Sequence, residues 1–171
     1  MTKNISNKKL FFYGLSEMPI SIASLPLLTY LPSYYGQDIG ISLLAIGNIW
    51  LFTRIFDAIT DPLIGYWSDK TNTRWGRRRI WMMASIPILV ISVYNLFFPN
   101  EETVTATDLF IWLALFWLGW TMLLIPYYAW GAELSPDYHE RSTITAWRSW
   151  LGMFGNVVSK SVPTLALFFF A

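Results

Sequence analysis

The chain has 171 residues, 54% of them hydrophobic and 18% aromatic, with only 13% charged and a formal net charge of +1. Soluble domains carry about 25% charged residues, so the solvent this composition fits is lipid. The even charge balance offers no field for nucleic acid or an acidic partner. With no cysteine and a single histidine, His139, there is no disulfide framework, thiolate metal site or zinc cluster to expect.

A membrane-spanning helix needs about 20 mostly apolar residues. Five segments reach that length, at about 10–34, 43–68, 80–98, 108–132 and 146–171. Their apolar runs are continuous, which excludes the alternating ~10-residue strands of a barrel. Backbone groups in lipid must be satisfied inside the segment, so these runs predict helices. The first run follows a short basic tail, exceeds the ~7–15-residue core of a secretory signal and lacks a small-residue cleavage site, so it reads as a retained helix.

Basic residues alternate with acidic loops along the chain. Lys3, Lys8 and Lys9 precede the first segment, and Asp38 follows it without a basic residue. Lys70, Arg74, Arg77, Arg78 and Arg79 follow the second, Glu101, Glu102 and Asp108 the third, and Arg141 and Arg148 the fourth. Positively charged loops stay inside, so the N-terminus is expected in the cytoplasm. The last segment stops in Leu167, Phe168, Phe169, Phe170 and Ala171 with no polar tail. Terminal helix carbonyls need partners, so a truncated piece of a longer chain is expected. Pro19, Pro26 and Pro32 in the first helix predict a bent element of the kind that lines a cavity.

The second segment carries the most informative charges. Asp57 lies about 14 residues into it, close to mid-bilayer at 1.5 Å per residue. Arg54, Asp57 and Asp61 are spaced i, i+3, i+7 and fall within about 60° of one helical face, beside Gly65. Each charge costs ~2.5–3.5 kcal/mol at a helix centre, so the stripe must face a polar interior. One reading is that Arg54 pairs with a single acid to pin the helix. The other gives the extra carboxylate to a coupling cation, Na⁺ or H⁺, since carboxylates are hard oxygen ligands and a desolvated pair holds a proton unless a metal ion replaces it. Thr60 places a hydroxyl at the edge of the stripe.

Other intramembrane polar groups leave two readings each. Glu17 in the first helix either joins a polar pathway or reaches back to the cytoplasmic surface. Lys160, deep in the last helix, either meets an interior acid or solute carboxylate, or snorkels outward. Thr121 sits at mid-depth in the fourth segment beside Trp117 and Trp120, whose rings either stack on a sugar or join an interfacial aromatic belt. No nucleophile–base or metal constellation predicts an enzyme.

The stretch Gly65-x-x-x-Asp69-Lys70 … Gly76-Arg77-Arg78 joins a small residue, an acid, a turn glycine and a basic cluster. It resembles the helix 2–3 signature of the major facilitator superfamily. With Arg54-x-x-Asp57-Ala-x-x-Asp61-Pro62-x-x-Gly65 ahead of it, and with Pro32-Ser-Tyr-Tyr35, Ile125-Pro126-Tyr127 and Ala132-Glu133-Leu134-Ser135-Pro136-Asp137, the chain resembles the glycoside–pentoside–hexuronide, melibiose-carrier-like cation symporters. The resemblance implies an all-α membrane protein, five transmembrane helices of an N-terminal six-helix bundle, with the C-terminal half of the transporter as missing partner. That superfamily is itself the standard example of inverted three-helix repeats. It implies a cation site at Asp57 and Asp61 with the hydroxyl of Thr121, and a gating role for the Gly65–Arg78 loop. It further implies symport of a sugar or related solute by alternating access in a bacterial inner membrane, with an uncoupled facilitator or lipid-handling protein as the alternative. The family's best-known members carry Asn where Thr60 stands, and sugar-recognising acids near Ser21 and at Leu124, which this chain lacks.

Overall fold

A computed structural model describes the backbone of residues 5–170 and the side chains of residues 5–161. The elements are α1 (Asn7–Leu15), α2 (Glu17–Ser33), a π-helical turn (Tyr34–Asp38), α3 (Leu43–Lys70), α4 (Arg79–Phe97), α5 (Ala106–Glu133) and α6 (Tyr138–Phe170). No strand occurs among the described residues. The stretches Asn7–Asp38, Leu43–Lys70, Arg79–Phe97 and Ala106–Glu133 are long and apolar enough to cross a bilayer. The protein is an integral membrane protein; the fifth predicted segment falls in α6, which runs on into residues whose side chains lie outside the described set.

The first predicted helix is interrupted at Ser16, and Pro19 supplies the reason. Proline has no N–H, and its ring crowds the carbonyl four residues back, here that of Leu15. The chain closes instead with a tight turn in which Ser16 N–H donates to the Tyr13 carbonyl at 3.3 Å. Beyond Pro32 the helix widens, with Ile39 N–H reaching the Tyr34 carbonyl five residues back at 3.2 Å. The last helix starts at Tyr138 rather than near 146, because Asp137 caps it. Its Oδ1 accepts from the N–H groups of His139 and Glu140 at 2.8 and 3.1 Å, satisfying two orphan donors of the first turn.

The chain forms two compact units, one joining the residues up to Tyr30 to those from Gly131 onward, the other Leu31–Trp130. In the first unit, glycines set the spacing. A β-carbon on Gly155 would lie 2.6 Å from the Met18 carbonyl oxygen, and one on Gly14 would lie 3.1 Å from that of Trp147. Helices in membranes approach this closely only through small residues. Pro26 leaves the Ile22 carbonyl without its helical donor, and Ser159 Oγ donates to that oxygen at 2.9 Å.

In the second unit, Ser42 caps α3 by accepting from Ala45 N–H at 3.2 Å. Tyr35, 1% exposed, donates its hydroxyl to the Leu96 carbonyl at 3.1 Å, one of the unpaired oxygens at the end of α4. Gly119 abuts Ile88 and Leu89, bringing α5 against α4. Gly65 faces Ile125, bringing α3 against α5.

Candidate functional site in the apolar span of α3

Arg54, Asp57 and Asp61 lie on α3, and two residues of α5 meet them. Arg54 Nη1 donates to Asp57 Oδ2 at 3.1 Å. The Arg54 guanidinium carbon lies 3.8 Å from the centre of the Trp117 ring. Thr121 Oγ1 donates to Asp61 Oδ1 at 2.8 Å. Arg54 is therefore shared between one carboxylate and one aromatic face, while Asp61 has a neutral hydroxyl partner. The second oxygen of Asp57, Oδ1, is buried and has no hydrogen-bond partner. A buried unpaired carboxylate oxygen is costly, because a carboxylate accepts through both oxygens. Helical periodicity accounts for the grouping: i, i+3 and i+7 on α3 face i and i+4 on α5.

The remaining residues singled out by sequence are placed as follows. Thr60 Oγ1 turns back onto its own helix, donating to the Asp57 carbonyl at 3.4 Å, which leaves its lone pairs open. Trp120 packs on Phe116 with ring centres 5.3 Å apart. Glu17 and Ser21 belong to the other unit, where both line the space a β-carbon on Gly152 would enter. There Arg148 Nε approaches Glu17 Oε2 at 4.0 Å, a pairing that sequence spacing does not reveal. Lys160 is exposed.

At the C-terminal end of α3, Arg78 Nη2 pairs with Asp69 Oδ1 at 2.9 Å. Lys70 Nζ bonds the Tyr66 hydroxyl and lies over its ring. Gly76 adopts φ +100°, which favours glycine, and the turn is tied by Thr73 Oγ1 donating to the Gly76 carbonyl at 2.9 Å. Trp81 Nε1 donates to Thr71 Oγ1 at 2.9 Å, and its ring stacks on Trp67. Gly65, Asp69 and Lys70 thus lie in the last turns of α3, and Gly76, Arg77 and Arg78 in the folded turn that joins it to α4.

Among the described residues, no three His, Cys, Asp or Glu side chains gather into a metal site. The donors on α3 and α5 are two carboxylates and two hydroxyls, a set suited to a monovalent cation or a proton that enters and leaves. An all-helical membrane protein with such a set inside an apolar span has the makeup of a solute carrier.

Residues 12–171 match the MFS/sugar transport protein family. The chain is 31% identical, over 93% of its length, to an uncharacterized symporter from Synechocystis sp., covering 32% of that protein. It is 30% identical, over 92% of its length, to the isoprimeverose transporter of Lactiplantibacillus pentosus, covering 34% of it. A 34% identity over 67% of the chain links it to the sodium-dependent lysophosphatidylcholine symporter 1 of Gallus gallus, covering 22% of that protein. The chain belongs to the major facilitator superfamily, within its glycoside–pentoside–hexuronide symporter type, a family of transporters rather than enzymes. It spans about a third of the length of the curated relatives it matches.

Proposed function

We propose that the full-length protein is a cation-coupled symporter of a sugar or related small solute, and that residues 1–171 form part of its N-terminal half. Na⁺ or H⁺ binds between Asp57 and Asp61, with Thr121 and Thr60 as neutral ligands, and neutralising the acids favours solute binding at mid-membrane. The two halves then exchange access between the faces of the membrane, with the Gly65–Arg78 turn on the cytoplasmic side of a bacterial inner membrane contacting the second half. The observation that carries this reading is the buried, unpartnered Oδ1 of Asp57, beside an Asp61 bonded to a hydroxyl rather than locked to Arg54. A structural pin would need one acid and would leave none open.

One charge moving through 100 mV supplies ~2.3 kcal/mol, or roughly fifty-fold accumulation. The test is uptake of a panel of labelled glycosides by the full-length protein in proteoliposomes under imposed Na⁺ and pH gradients. Gradient-driven accumulation is expected in the wild type and is lost in Asp57→Asn and in Asp61→Asn. Accumulation that still follows the gradient in both variants removes the coupling role.

A second reading of the substrate draws on the Gallus gallus relative, whose name specifies a lysophosphatidylcholine. The same proteoliposomes, offered labelled lysophosphatidylcholine, decide between a sugar and an amphiphilic lipid.

A further inference from the structure

A cation site at Asp57 and Asp61 has no evident need of Trp117, yet Trp117 is the α5 residue most directly engaged with Arg54. Two α5 residues four apart, Trp117 and Thr121, engage two α3 residues seven apart, Arg54 at 3.8 Å and Asp61 at 2.8 Å. Asp57 lies between the engaged pair on α3. One of its oxygens is held by Arg54 and the other is buried and unpartnered.

The ring of Trp117 is fixed in place. It is 8% exposed and packs edge-on against Phe116 and Trp120, with centres 5.5 and 6.4 Å away. Its Nε1 is buried without a hydrogen-bond partner. Buried indole N–H groups ordinarily find a partner, so what this position uses is the face of the ring, and that face carries Arg54. The Arg54 side chain itself is 47% exposed, against 13% for Asp57. Without the ring beneath it, the guanidinium keeps the Asp57 carboxylate and loses its contact on α5.

We propose that Trp117 is a positioning residue that holds Arg54 on Asp57 as a tethered competitor of the coupling cation, and so sets the affinity of the site. The inference rests on the reading of Asp57 and Asp61 as the cation site. A cation arriving at the open oxygen of Asp57 meets a carboxylate already partly neutralised and a positive neighbour. Anything that strengthens the hold of Arg54 weakens the cation, and indole has the strongest cation-attracting face of the natural side chains.

The experiment is an equilibrium titration of the purified full-length transporter with its driving cation, Na⁺ or H⁺ as the gradient assay identifies. Trp117→Leu is expected to raise apparent affinity by about threefold, and Trp117→Phe, which keeps a weaker aromatic face, by less. In an Arg54→Gln background both substitutions lose their effect, because the competitor is gone. A role in packing alone would act equally with or without Arg54. Unchanged or weakened affinity in Trp117→Leu, or the same shift in the Arg54→Gln background, overturns the proposal. If the leucine variant does not fold, the phenylalanine variant with and without Arg54→Gln gives the same decision. A wild type with no gradient-driven uptake defeats the symporter reading itself, whereas a coupled wild type insensitive to Trp117 defeats only this inference.

Discussion

Where α6 packs on α2, Gly155 and Ser159 serve the backbone of the neighbouring helix; where α5 faces α3, Trp117 and Thr121 serve charged side chains. In the first region the polar contact repairs something. Ser159 supplies the donor that Pro26 removes from the Ile22 carbonyl, and Gly155 removes a side chain so that the Met18 backbone fits. In the second region the polar contacts leave a carboxylate oxygen open at Asp57. Apolar helices bury polar atoms at a cost of several kcal/mol when unpaired. A region that repairs such costs favours staying together, and one that leaves an acceptor open fits the proposed cation site.

The contrast can be broken most severely at Gly155. A leucine there must displace the Met18 backbone rather than the end of a flexible side chain, and overpacking of this kind costs about 3 kcal/mol at the upper end of its usual range. Thermal melts of the detergent-purified protein are expected to show a large loss of stability in Gly155→Leu and a smaller one in Gly155→Ala. A leucine variant that melts with the wild type would mean the helices are not at backbone contact. Thr121→Val tests the other region. It keeps shape but removes the donor to Asp61, and hydrogen bonds to charged groups are worth roughly 1.5–3 kcal/mol. The expected result is cation affinity weakened about tenfold with little change in the melt. A stability loss without an affinity change would move Thr121 into the class of Ser159.

Much of this was legible in sequence, for identifiable reasons. Continuous apolar runs give helices in lipid, and i, i+3, i+7 spacing alone places Arg54, Asp57 and Asp61 on one face. Partners across helices were harder, because 3.6-residue periodicity describes one helix at a time. The stacking of Arg54 on Trp117 and the approach of Arg148 to Glu17 depend on which faces meet. The Trp117–Thr121 spacing of i, i+4 marked a common face, and ten tryptophans in an apolar chain masked it. The break at Ser16 was within reach: Pro19 lies four residues beyond Leu15, and three prolines predicted bending without fixing its place. The start of α6 lies outside the reach of an apolar threshold, which ignores a polar first turn, and Asp137 caps that turn from outside the apolar run.

A smaller effect is expected at Ser159. Ser159→Ala leaves the Ile22 carbonyl without its donor, a loss of ~1 kcal/mol by the usual worth of a neutral hydrogen bond. Pro26→Ala restores a backbone N–H four residues on and makes the serine dispensable. The melt of the Pro26→Ala protein should therefore respond to Ser159→Ala by clearly less than the wild type does. Equal responses would show that the hydroxyl serves some other group.

The smallest effect has the opposite sign. Gly47 lies inside α3, is exposed, and has nothing within 4 Å of where a β-carbon would stand. Glycine in a helix interior costs roughly 0.5–1 kcal/mol relative to alanine through the freedom it loses on folding. Gly47→Ala should thus raise the melting temperature slightly, while Gly155→Ala lowers it, although the same chemical change is made within a helix in both. The difference in sign follows from what each new methyl group meets: open space at one position and a peptide carbonyl at the other. A stability loss at Gly47 would point to a surface that packs closely there in the assembled transporter, placing that face of α3 with the backbone-serving class rather than the open one.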